Sequence, residues 1–141
     1  MVAVSGSPFS AQLVSCTRRM ATTMNASWIA VHVETPLKLS DNQTAQLMAN
    51  LRLAQELGAD MISVYADDTV AGLLQVAHQH NITQIVVGKP GEGLFKKWKK
   101  DGSMVDRLIR YSGNIDVYVV RGDLVAESVP KNWQLKMRIQ N

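Results

Sequence analysis

Two stretches of the chain bring together residue types able to hold an anion. The longer, 88–103, reads Gly-Lys-Pro-Gly-Glu-Gly-Leu-Phe-Lys-Lys-Trp-Lys-Lys-Asp-Gly-Ser. It follows the apolar run Ile85-Val86-Val87 and precedes a helix-like segment starting at Met104. Glycines let a backbone approach an anion closely, and the free amides of a helix's first turn point at it. Gly88, Gly91, Gly102 and Ser103 are therefore candidate phosphate contacts; the alternative is a plain surface connection between strand and helix. The shorter stretch, Ser5-Gly6-Ser7, leaves the apolar Val2-Ala3-Val4. Groups for acid–base or metal chemistry are sparse. His32, His78 and His80 are the histidines, and His78 and His80 lack the i, i+4 spacing of a helical metal pair. A place at a helix's C-terminal end suits them instead. Asp67-Asp68 reads as a helix cap rather than a metal pair. Ser5 and Ser7 have no neighbouring base in sequence to activate a nucleophile. No catalytic residue and no metal site is expected, and this domain is expected not to be an enzyme.

Charge points to the same loop. The chain's formal net charge is +3, and 88–103 alone holds Lys89, Lys96, Lys97, Lys99 and Lys100 against Glu92 and Asp101. The cluster Lys96-Lys97-Trp98-Lys99-Lys100 is a candidate contact for an anion or an acidic partner, or else a solvated loop. Nucleic-acid binders spread basic residues over a face and interleave exposed aromatics, so a nucleic-acid partner is not expected. One cysteine, Cys16, forms no intrachain disulfide and favours a reducing compartment. No apolar run reaches the roughly 18 residues of a membrane span, so no membrane contact by this chain is expected. A first strand starting at residue 1 or 2 suits a domain cut from a longer chain, or a compact natural start.

The elements that must position these residues alternate without a break. Ser7 caps a first helix with Pro8 at its first position, and Leu13, Cys16, Thr17, Met20, Ala21 and Met24 recur at helical spacing. Asn25-Ala26 ends it, and 28–33 is a strand. Ser40-x-x-Gln43 has capping-box form and opens a helix with Leu47, Leu51, Ala54 and Leu57 on one stripe, stopped by Gly58. Strand 61–64 follows, then a helix capped at Asp67-Asp68-Thr69 that carries Val70, Leu73, Leu74 and Ala77 and ends at Asn81. Strand 83–87, the glycine loop, a short helix and strand 115–120 complete the series. Continuous apolar strands alternating with helices predict a parallel sheet covered on both faces. Right-handed crossovers make it an open, doubly wound, five-stranded α/β sheet. In flavodoxin-like winding the first strand lies where the order reverses, and ligands bind beyond the carboxyl ends of the strands there. The loops after strands one and four are thus expected to share a crevice as two converging anion sites.

Val-Ala-Val-Ser-Gly-Ser at the start, Ile-Val-Val-Gly with its glycine loop ending Gly-Ser, and Asp-Val-Tyr-Val-Val at 116–120 resemble the universal stress protein family. The resemblance covers residues 1–121 and implies the adenine-nucleotide alpha-hydrolase-like fold. Ser-Gly-Ser-Pro, Trp-Ile-Ala-Val-His-Val-Glu-Thr-Pro, Asn-Leu-Arg-Leu-Ala-Gln-Glu-Leu-Gly-Ala and Ser-Met-Val-Asp-Arg-Leu-Ile-Arg are similar to the Kdp sensor histidine kinases. That implies a cytoplasmic regulatory domain of a potassium-responsive two-component sensor of the inner membrane. The implied partners are the other domains of the parent kinase, a universal stress protein, or a second copy as a homodimer. ATP-binding members carry Gly-x2-Gly-x9-Gly-Ser/Thr; here Gly88-x2-Gly91 fits, and ten residues precede Gly102-Ser103. The aspartate that commonly ends strand one in those members is Ser5 here. Some Kdp sensor kinases bind cyclic di-AMP through Ser-x-Ser, twenty residues, then Phe-Thr-Ala-x-Tyr. Ser5-Gly6-Ser7 is followed at that spacing by Trp28-Ile29-Ala30-Val31-His32, which makes Trp28, Ala30 and His32 implied contacts. ATP and cyclic di-AMP are the implied candidate ligands.

Residues 122–141 fall outside this fold. Trp133, Leu135, Met137 and Ile139 alternate with polar residues, the period of a strand that pairs with a sheet edge, or the segment is an unstructured tail. Three functions fit the sequence: a regulatory interaction domain, a nucleotide-sensing module for ATP or cyclic di-AMP, and a spacer that holds neighbouring domains in register.

Overall fold

A computed structural model of the chain describes residues 1–88 and 104–120. Its elements are β1 (Val2–Ala3), α1 (Ser10–Met24), β2 (Ile29–Glu34), α2 (Asp41–Glu56), β3 (Asp60–Tyr65), α3 (Thr69–Gln79), β4 (Gln84–Gly88), α4 (Met104–Tyr111) and β5 (Asp116–Val120). All the strands pair in parallel, in the order β3-β2-β1-β4-β5, so the expected five-stranded sheet is present. Winding runs outward from β1 to β3, then returns to β4 on the other side of β1. The reversal lies between β1 and β4, where Val2 pairs with Val86.

Strand pleating sends successive side chains to opposite faces, and that alternation divides the core in two. Val2, Val4, Ala30 and Val86 pack under α1 and α2 with Leu13, Val14, Leu47 and Ala54. Val31, Val33, Ile85 and Val87 pack under α3 and α4 with Leu73, Val76 and Leu108. The central strands are buried on both faces, which is why they read as unbroken apolar runs. Gly72 lets α3 lie directly on β2, because a Cβ there would come within 2.5 Å of Val33 Cγ1.

The helix boundaries follow local chemistry, with one exception. Ser40 Oγ accepts from the Gln43 amide at 3.1 Å and Gln43 Oε1 accepts from the Ser40 amide at 2.9 Å, the reciprocal box that the sequence predicts. Asp68 caps α3 through the Ala71 amide at 2.8 Å. The exception is α1, which starts at Ser10 rather than at Pro8. The Ser7 carbonyl accepts from Ser10 N at 3.1 Å and from Asn50 Nδ2 at 2.8 Å, so it is engaged in a tight turn and not in the helical ladder. Ser7 still acts locally, its Oγ accepting from Phe9 N at 3.1 Å.

Candidate functional site

A cleft of about 380 Å³ opens at the carboxyl edge of the sheet, above the β1/β4 reversal. Pockets for small molecules run from about 300 to 1,000 Å³, so its volume suits a nucleobase with its sugar. The turn after β1, the 35–39 connection after β2, Thr69 at the start of α3, Gly88 at the end of β4 and Met104 at the start of α4 all reach it. Its walls are mainly apolar, supplied by Phe9, Leu13, Val33, Leu37, Leu39, Leu73 and Met104. Leu37 is 81% exposed on the rim, an unusual exposure for a leucine, and it gives the cleft mouth an apolar lip.

The structure brings Ser5, Gly6, Ser7, His32 and Gly88 together on this cleft. Ala30 lies apart, fully buried in the core beneath α1 and α2. Trp28 sits at the opposite, amino-terminal edge, beside Met20, Met24 and His80. Along the chain entering β2 the four steps from Trp28 to His32 span about 13 Å, too far for both to reach one small cleft. The motif register that groups Trp28, Ala30 and His32 therefore resolves into three separate environments. Gly91, Gly102, Ser103, the cluster Lys96, Lys97, Trp98, Lys99 and Lys100, and the tail 122–141 lie outside the described residues.

The turn after β1 differs in kind from a bare anion cradle. Ser5 N donates to Ser10 Oγ at 3.0 Å, Ser7 N to Ser5 Oγ at 3.2 Å, and Phe9 N to Ser7 Oγ at 3.1 Å. Ser5 Oγ and Ser10 Oγ are a further 3.0 Å pair. Three amides that an anion could use, those of Ser5, Ser7 and Phe9, are thus engaged by serine hydroxyls. Each serine hydroxyl has one proton to give, and that of Ser7 remains for a ligand acceptor. Gly6 also has a reason other than anion approach: a Cβ there would lie 2.6 Å from the Gln43 carbonyl oxygen of α2. Gly88 likewise makes room for α1, since its Cβ would meet Phe9 Cε1 at 3.1 Å and Leu13 Cδ1 at 3.3 Å.

His32 Nδ1 lies 3.3 Å from the Val4 carbonyl oxygen, which can only accept. The tautomer with the proton on Nδ1 satisfies that bond and leaves Nε2 as an acceptor. Asp68, at the start of α3 beside Thr69, has its carboxyl held below the usual aspartate range. The Ala71 amide is the main cause, followed by the Arg107 guanidinium, whose Nη2 stands 3.0 Å from Oδ2. Among the described residues no three His, Cys, Asp or Glu side chains gather where a metal ion could sit.

Sequence reasoning missed Asn50 of α2. It is 2% exposed, and its Nδ2 donates to the Ser5 and Ser7 carbonyls, both at 2.8 Å. The signal was a polar residue on the stripe Leu47, Asn50, Ala54, where an apolar one is the rule.

Residues 1–121 match the Universal stress protein family. Among curated proteins, Sensor protein KdpD of Escherichia coli (strain K12) is 31% identical over 116 residues, 81% of this chain and 13% of that protein. Sensor protein KdpD of Mycobacterium tuberculosis (strain CDC 1551 / Oshkosh) is 36% identical over 122 residues, 85% of this chain and 14% of that protein. The chain thus spans about one seventh of these curated relatives. Among solved structures, a universal stress protein in complex with cAMP superposes with a TM-score of 0.65 at 25% identity, over 86% of this chain and 96% of that one. A universal stress protein from Archaeoglobus fulgidus gives 0.59 at 16% identity, over 84% and 89%, a likeness of fold alone.

Proposed function

The chain belongs to the universal stress protein family, and from that premise we propose that it is the nucleotide-responsive regulatory domain of a Kdp-type two-component sensor kinase controlling potassium-transport genes. The observation that carries this reading is the mainly apolar cleft at the β1/β4 reversal, where doubly wound sheets take their ligands. The KdpD relatives, 31% and 36% identical, support the sensor context, and the neighbour in complex with cAMP supports the ligand class. In this reading a purine ring lies between apolar walls, the Nε2 of His32 accepts from it, and Ser7 Oγ donates to it. Adenine nucleotides are the ligand class, with ATP, cyclic AMP and cyclic di-AMP as its members to test. Ser5, in place of a carboxylate, offers a sugar only a hydroxyl already shared with Ser10. That favours ligands whose sugar hydroxyls are tied into a phosphodiester. The domain performs no chemistry itself; it acts in the cytoplasm through contacts with the parent kinase's other domains. No helix among the described residues is long and apolar enough to cross a membrane.

Calorimetric titration of the 141-residue chain with ATP, ADP, cyclic AMP and cyclic di-AMP tests the reading. The expected result is a saturable one-site isotherm with at least one of them, weakened at least tenfold by His32→Ala. Absence of heat with all four at millimolar concentration overturns it.

A further inference from the structure

We infer that Asn50 is a positioning residue: from the middle of α2 it sets the shape of the turn after β1, and through it the affinity of the cleft. The inference rests on the nucleotide reading above for its consequence, though not for its geometry. One carboxamide donates to two carbonyls two residues apart, Ser5 O and Ser7 O, both at 2.8 Å. A two-point hold fixes both the position and the curvature of the segment between them, which a single bond cannot do. The amide faces the right way because Gln46 Nε2, one helical turn earlier, donates to Asn50 Oδ1 at 3.0 Å. That leaves both Nδ2 protons for the turn.

A steric contact closes the arrangement from the other side. Gly6, between the two held carbonyls, lies against the Gln43 carbonyl so tightly that a Cβ would stand 2.6 Å from its oxygen. Gln43, Gln46 and Asn50 are spaced i, i+3, i+7, so a single face of α2 carries the whole turn. Within the turn's own sequence the Ser7 carbonyl accepts from Ser10 N at 3.1 Å, but no local donor joins it to the Ser5 carbonyl. The serine hydroxyls bond locally and close the turn, whereas Asn50 places it relative to β1 and to the cleft. Asn50 does not line the cleft, so its effect on binding passes through the turn.

The test uses the 141-residue chain and two variants. Asn50→Asp keeps the side chain's size and replaces the two-proton donor by a carboxyl facing two carbonyls. Gln46→Ala leaves Asn50 in place and removes only the bond that orients it. Backbone ¹⁵N order parameters at Gly6 and Ser7 are measured without ligand, and dissociation constants for cyclic AMP are measured by calorimetry. In the wild type these order parameters are expected at about 0.8 or above, falling below about 0.6 in Asn50→Asp while α3 and β4 keep theirs. Affinity for cyclic AMP should fall at least tenfold in Asn50→Asp and about threefold in Gln46→Ala, with the order parameters ranking the same way. Unchanged order parameters at Gly6 and Ser7 in folded Asn50→Asp overturn the inference. Should Asn50→Asp fail to fold, unchanged values in Gln46→Ala overturn it equally. Should the wild type bind no cyclic AMP, the order parameters alone decide the role of Asn50, and the nucleotide reading is decided separately by the titration with all four nucleotides.

Discussion

The two edges of the sheet turn their chain by different means. At the amino edge each helix hands over to its strand through one residue with positive φ: Asn25 (51°), Gly58 (99°), Asn81 (52°) and Gly113 (63°). After the first three helices the closing bond spans five residues, Ala26 N to Ala21 O, Ala59 N to Ala54 O and Ile82 N to Ala77 O. Everything needed lies within one helical turn of the exit. At the carboxyl edge local caps, such as Ser40–Gln43 and Asp68–Ala71, are joined by side-chain holds from far away in sequence. Asn50 reaches back 45 and 43 residues to Ser5 and Ser7, His32 reaches 28 to Val4, and Arg107 reaches 39 to Asp68. The difference separates two tasks. Helix exits closed by local bonds give stable punctuation and little else. An edge assembled from several elements can carry a change at the cleft to helices elsewhere.

The comparison breaks most visibly at Asn50. Asn50→Leu should cost about 1–3 kcal/mol, because the Ser5 and Ser7 carbonyls each lose the donor that Asn50 supplies. Urea denaturation measures it; a loss under about 0.5 kcal/mol would mean that the turn after β1 supports itself. Next comes Gly6→Ala, expected to cost about 1–3 kcal/mol through overpacking against the Gln43 carbonyl. Its effect should include weaker nucleotide binding, since the turn must lift from α2 to admit the methyl group.

At the amino edge Gly58→Ala should cost about 1–2 kcal/mol, the strain of a side chain at positive φ. Here nothing lies within 4 Å of the added methyl, so the loss is conformational and nucleotide affinity should stay at the wild-type value. A tenfold affinity change in Gly58→Ala would erase the distinction between the two edges.

The smallest effect concerns acid. Because the Ala71 amide and then Arg107 hold the Asp68 carboxyl below its ordinary range, the unfolded chain binds the proton more readily. Its contribution is present above the ordinary aspartate value, near pH 4, and is lost as pH falls through the lower folded value. Asp68→Ser, which keeps a capping oxygen without charge, should flatten this part of the stability–pH curve and cost under about 1 kcal/mol at pH 7. An unchanged slope between pH 4 and pH 2 would show that the Arg107 contact contributes nothing across the carboxyl edge.

Much of this molecule was legible before any coordinates. Continuous apolar strands require cover on both faces, and their alternation with helices leaves a parallel sheet as the way to provide it. The exits at Asn25, Gly58 and Asn81 were readable because αL geometry and its closing bonds are properties of a few consecutive residues. So were the Ser40–Gln43 box and the Asp68 cap. Strand ends shifted by a residue or so, and α1 opened at Ser10, after a turn in which the Ser7 carbonyl accepts from Ser10 N and from Asn50, far along the chain. The candidate site was legible only in part. Ser5, Gly6, Ser7, His32 and Gly88 share a cleft because winding order sets which strand ends are neighbours, a deduction the element series permits. What each residue does there was decided by tertiary structure. A motif register treats Trp28, Ala30 and His32 as one group, while strand pleat and length place them at an edge, in the core and on the cleft. Sequence shows that Gly6 has no side chain; only the packing of α2 against the turn shows which atom, the Gln43 carbonyl oxygen, requires that absence. Local bonds are written in adjacent residues, whereas a hold across 45 residues exists only once the helix that carries it has docked.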